Sequence, residues 1–122
     1  MDDVKRLLQQ YGPLRCERDS CRRLAKRELV PERAKRWQKV AERAEATLRQ
    51  LEVVVDTLDG LEREVVRMRY FNGEACCCMR WRDVCITVYG RDDETRQQAV
   101  YRVHKSALQK LNSRMREAGL LE

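Results

Sequence analysis

The chain has little of what most catalytic and membrane-spanning proteins depend on. Histidine occurs once, at position 104. No serine or cysteine stands beside a base in a nucleophile motif, no acidic cluster is arranged to hold a metal, and no glycine-rich phosphate loop is present. The chain is therefore expected not to be an enzyme and to bind no metal or cofactor. A lone histidine with no acid-rich pocket is a poor catalyst; the sequence leaves it either contacting phosphate or packed in the fold. Two prolines, five glycines and 6% aromatics, set against 38% charged residues, favour long exposed helices over sheets. No apolar run approaches the roughly 20 residues that cross a bilayer. The opening "MDDVKRLLQQ" lacks the apolar centre of a signal peptide. These absences point to a cytoplasmic location and no membrane partner.

Cysteine, in contrast, is plentiful, with six residues. In a reducing compartment free thiols are expected rather than a disulfide framework. The adjacent Cys76, Cys77 and Cys78 are badly placed to converge on one tetrahedral metal. Cys16 and Cys21 are near one helical face but have no obvious further ligands.

A chain of 122 residues is one domain, or one small domain with a helical extension. It holds 26 basic and 20 acidic residues, a formal charge of +6 that suits an acidic partner such as nucleic acid. Residues 1–60 carry 14 basic and 11 acidic groups and residues 61–122 carry 12 and 9, so each half is +3 and no basic tail exists.

A first helix is expected over residues 2–11, interrupted by Gly12-Pro13, and a weaker one over Leu14–Leu29, with Pro31 ending it or starting the next. From Glu32 to Leu58 the pattern is strong. Ala34, Trp37, Ala41, Ala44, Leu48, Leu51, Val55 and Leu58 are spaced 3, 4, 3, 4, 3, 4, 3, a seam that wants a partner helix. That partner is either the Leu14–Leu29 segment folded back as a hairpin or the same helix of a second copy in a coiled-coil homodimer; an ordinary core-facing stripe is the plainer alternative. Asp59 with Glu62 has the form of a capping box for a helix from Leu61 to about Phe71, which would bury Leu61, Val65 and Met68. After the connector "EACCCMR", a helix over Trp81–Tyr89, a turn over Gly90–Asp93 and a last helix from Glu94 complete an all-α architecture. Residues 1–59 form the helical N-terminal region, for oligomerisation or partner binding, and residues 60–122 form a three-helix DNA-binding unit.

Two helices joined by a short glycine-containing turn are the helix-turn-helix pattern, in which Trp81–Tyr89 braces and the last helix reads. Six basic residues follow Glu94 before the next acid, Glu117. Val100, Val103, Ala107, Leu108 and Leu111 make the reader's apolar stripe. The candidate contacts outside it are Thr95, Arg96, Gln97, Gln98, Tyr101, Arg102 and Lys105. Arginine pairs with guanine, glutamine with adenine, and either cation neutralises phosphate. Thr95 to Gln98 are best placed for base edges, and Arg102 and Lys105 for the backbone. Lys110, Arg114 and Arg116 suit a helix C-terminus without any ligand.

The segments "LEREVVRMRYFNGE", "WRDVCITVYG" and "VYRVHKSALQKL", within residues 61–111, resemble region four of sigma-70-type factors. They are more similar still to the short phage and prophage transcription regulators of the ArpU and RinA type. The resemblance rests on Met68-Arg69-Tyr70, Trp81, and Val100, Arg102, His104, Ala107, Leu108 and Leu111; it departs at the "ACCC" connector and the charged "RDDET" turn. It implies a sigma-like helix-turn-helix that regulates transcription on double-stranded promoter DNA, with RNA polymerase as a possible second partner. No region-two-like segment is visible, so a complete sigma factor is not implied. Two other functions fit the same pattern: a small-terminase-type DNA-packaging subunit, and a polymerase-binding module without DNA contact.

Overall fold

A computed structural model describes residues 2–74 and 76–122; Met1 and the connector residue Ala75 lie outside the described residues. The described residues form α1 (Asp2–Gln9), α2 (Tyr11–Arg27), α3 (Pro31–Asp56), α4 (Gly60–Val66, prolonged by a π-helical turn Arg67–Phe71), α5 (Trp81–Tyr89) and α6 (Glu94–Glu117), with no strand among them. The fold is all-α.

The first break falls at Gln10 rather than at Gly12-Pro13. Gln10 N–H bonds back to Leu7 O and Leu14 N–H to Gln10 O, so Pro13 sits in the opening turn of α2. There its missing N–H has no helical partner to lose. Pro31 likewise opens α3 directly after the extended Val30.

Glu28 to Val30 link α2 and α3, and α2 folds back along the α3 seam as an intrachain hairpin. Ala41, Ala44, Leu48, Leu51, Val55 and Leu58 are all buried, while Ala34 is only half-buried and Trp37 is 36% exposed. The alanines let the two helices approach closely, and Cys21 of α2 is buried on the same side. Arg18 clamps the hairpin by donating to Glu45 Oε2 at 2.6 Å, with Arg22 and Arg49 at 3.6 and 3.2 Å. The bond from Arg18 is the main reason the Glu45 carboxyl lies below its ordinary range.

One apolar core draws on both halves of the chain. Val4, Leu8 and Tyr11 meet Leu48, Leu51 and Val55 of α3, Val66, Tyr70 and Phe71, and Ala107, Leu108, Leu111 and Met115 of α6. Each fully buried leucine contributes about 2 kcal/mol by transfer alone, so this cluster holds α1 and α3 against the last helix. A smaller cluster of Val65, Val84, Cys85 and Val100 joins α4, α5 and α6.

Two expectations about α4 are corrected. Leu61 is 40% exposed, and Val66 is buried in addition to Val65. The Asp59 side chain makes no cap bond at the start of the helix. Glu62 turns away from it and accepts from Ser106 Oγ and Lys110 Nζ, both at 3.0 Å, on α6. That cross-helix pairing sets the rotation of α4 and carries Leu61 outward.

The expectation of free thiols is corrected for two cysteines. Cys16 on α2 and Cys76 in the connector form a disulfide, with Cα atoms 6.2 Å apart. Packing, not sequence spacing, brings them together. Gly12 lies so close that a Cβ there would stand 2.9 Å from Cys76 O. One turn on, Arg15 donates to Phe71 O and Gly73 O, each at 3.0 Å. Of the free thiols, Cys21 and Cys85 are buried and Cys77 is exposed.

Candidate nucleic-acid interface

Helix α5 begins where Arg80 leaves the helical region and ends because Gly90 adopts a left-handed φ of 75°. Its N–H returns to Ile86 O at 2.7 Å, and Cys85 Sγ donates to Arg91 O. A glycine serves here because a Cβ is disfavoured in this region of backbone space. Three residues later Asp93 caps α6, its Oδ1 accepting from Arg96 N–H at 2.9 Å. The brace, turn and reader therefore start and stop where the sequence places them.

The seven candidate contact residues separate into two groups. Thr95, Gln98, Arg102 and Lys105 are exposed. Their spacing of 3, 4, 3 puts them on one outward stripe of α6. Tyr101, 47% exposed, stands beside it with its ring edge-on to Trp81 at 5.4 Å. Arg96 and Gln97 are turned towards the acids of the turn. The Arg96 guanidinium lies 3.5 Å from Asp93, and the Gln97 amide donates to Asp92 at 2.7 Å. Gln98 reaches Glu94 at 3.5 Å, a contact at the edge of hydrogen-bond range. In the free chain the start of the reader thus neutralises itself, and Arg102 and Lys105 supply the unpaired positive charge of the stripe.

A groove beside the stripe is lined by Lys5, Trp81, Tyr101, His104, Lys105 and Leu108. Lys5 arrives from α1, which packs on α6 through Val4 and Leu8. Sequence reasoning about the last three helices had no signal for it, because only the docking of α1 brings the two lysines to one groove. Trp81 is held by the Arg69 guanidinium, 4.5 Å above its ring, while Arg69 also donates to Met79 O.

His104 belongs to the packing. It is 7% exposed, its Nε2 lies 2.7 Å from the Tyr70 hydroxyl, and Trp81 meets its ring edge-on at 4.6 Å. Burial, aided by nearby Lys5 and Arg69, pushes its pKa down to about 4. Burial also raises the Tyr70 phenol to about 12. A neutral, enclosed imidazole is no phosphate ligand at neutral pH.

Lys110 and Arg114 are also internal fasteners. Lys110 pairs with Glu62, and Arg114 donates to Thr57 O at 2.8 Å and Thr57 Oγ1 at 3.1 Å, tying α6 to the end of α3. Among the described residues no group of three or more histidine, cysteine or acidic side chains is placed to hold a metal, and no helix is long and apolar enough to cross a membrane. No family model matches the chain, and neither a curated protein nor a solved structure is detectably similar to it.

Proposed function

We propose that the chain is a sequence-specific transcription regulator that binds double-stranded DNA through α6, in the manner of a sigma region-four helix-turn-helix. The observation that carries this reading is the exposed stripe Thr95, Gln98, Arg102 and Lys105 on a helix whose start is set by the Gly90 turn and the Asp93 cap. Its residue types match groove readout near the helix start and phosphate neutralisation further along. Lys5 adds a second cation beside Lys105 for the same backbone. Arg96 and Gln97 join the base contacts by exchanging their acidic partners in the turn for base edges. The resemblance in residues 61–111 places the regulator in a phage or other mobile element, with polymerase as a second partner.

Selection of bound sequences from a random duplex pool, followed by affinity measurement on the winner, tests the proposal. A shared sequence should emerge, Gln98→Ala should relax the preference at one base position, and Arg102→Ala should weaken all duplexes alike. A pool that stays random, with no duplex bound at low salt, rejects it.

A further inference from the structure

The charge of the chain is not where the candidate reader is. Residues 22–43, the far end of the α2–α3 hairpin, hold nine basic and three acidic side chains, a balance of +6 that equals the formal charge of the whole chain. The remaining residues sum to zero. Among the described residues Lys26, Arg27, Arg33, Lys35, Arg36 and Lys39 have no ion-pair or hydrogen-bond partner within the chain. The same end carries most of the exposed apolar surface. Leu29 is 93% exposed, Leu24 and Val30 43% each, and Trp37 36%.

These features share one surface. Arg33, Arg36, Trp37 and Val40 follow one another along one side of α3 and line an open groove with Glu28 of the inter-helix link. Trp37 and Ala34 are the seam positions that α2 leaves uncovered, so the groove continues the packing surface of the hairpin past its last buried layer, Ala41. We infer that this groove is the docking site for an acidic amphipathic helix of a protein partner, which lays apolar side chains on Trp37 and Val40 and acids on Arg33 and Arg36.

Charge and shape select this occupant over the others. A second copy of the tip would bring +6 against +6. A phosphate backbone matches the cations but leaves the Leu29, Val30 and Trp37 side chains without counterparts. An anionic bilayer would meet Glu28 and Glu32 at the leading edge, and the apolar surface is a groove on the flank. A helix in a groove uses both, with tryptophan and arginine as the anchoring types. Glu28 then marks where a partner's donor or cation sits, which gives the docked helix a direction.

The test uses the full chain and a labelled synthetic peptide of three heptads, leucines on one face and glutamates elsewhere, with a lysine-for-glutamate version as control. The glutamate peptide should bind with an affinity that falls as salt rises, and the lysine version should not bind. Trp37→Ala, and separately Arg33→Glu with Arg36→Glu, should each weaken binding roughly tenfold or more. Arg102→Ala should leave it unchanged, which separates this surface from the proposed DNA stripe. Duplex DNA and vesicles of anionic lipid are run beside the peptide. The inference is overturned if the glutamate peptide fails to bind or binds the tip variants equally well. It is overturned too if the tip variants instead lose affinity for duplex or vesicle.

Discussion

The Tyr70 hydroxyl and His104 Nε2 lie 2.7 Å apart at the junction of the π-helical turn and α6, closed over by Trp81. Removing the hydroxyl leaves the ring nitrogen enclosed without a partner. Tyr70→Phe is therefore expected to lower stability by about 1–2 kcal/mol, read as a shift in the urea midpoint with an unchanged slope.

The same histidine makes stability depend on pH. Its folded pKa, about 4, lies below the ordinary 6.5. Between these values the unfolded chain binds the proton and the folded chain does not, so stability contributed by the neutral ring is present above pH 6.5 and is lost as pH falls towards 4. Carboxylates titrate in part of this window, so the wild type is compared with His104→Gln. The variant should show a shallower decline in melting temperature between these pH values; parallel curves would contradict the assignment.

The Cys16–Cys76 bond closes a segment with a sequence separation of 60. Loop-closure entropy predicts a loss of about 4 kcal/mol on reduction or in Cys16→Ser. Thiol titration of the native oxidised chain should find Cys77 reacting first, with Cys21 and Cys85 reacting only after unfolding. If Cys16 is alkylated in the oxidised native protein, the pairing is wrong.

Gly90 has a φ of 75°, and nothing lies within 4 Å of where its Cβ would be. Gly90→Ala therefore introduces backbone strain and no clash. The expected loss is about 1–2 kcal/mol in thermal unfolding, with Gly90→Asn closer to the wild type.

Two cations on α6 should behave oppositely. Lys105→Ala is expected to leave stability unchanged and to flatten the salt dependence of duplex binding by about 0.9 in log–log slope, the value of one phosphate contact. Arg114→Ala should cost about 1 kcal/mol of stability through its Thr57 bonds and leave that slope alone. Equal effects of both on DNA would remove the distinction between stripe and fastener.

The parts of the fold that were legible in the sequence are those set by neighbours along the chain. The α3 seam, the span of α5, the left-handed stop at Gly90 and the cap at Asp93 each follow from residues within a turn of one another. What was not legible depends on where distant helices dock. Pro13 stands equally well as a breaker or as an opening-turn residue. Glu62 has the spacing of a capping box, and only the position of α6 turns it to Ser106 and Lys110. Lys5 reaches the reader's groove, and Cys16 reaches Cys76, through packing that no local pattern encodes. Within the candidate site the polar types were visible, but one residue is about 100° on a helix. That rotation separates Gln98 on the stripe from Gln97 facing Asp92.

The connector between the π-helical turn and α5 has a consequence for how this chain tolerates change of length. Surface links normally accept inserted residues at little cost, because doubling a flexible loop adds only about 0.6 kcal/mol. Here Gly12 leaves no room for Cys76 to shift, Arg15 holds the carbonyls of Phe71 and Gly73, and Met79 N–H bonds to Arg69 O. An insertion between positions 73 and 79 would have to undo these fixings together. The link from Glu28 to Val30 at the opposite end of the hairpin has only the Glu28 side-chain bond to Val30 N–H and the helix-end bonds of Glu28 and Ala34 to lose, so it is the place where relatives of this chain can grow or shrink.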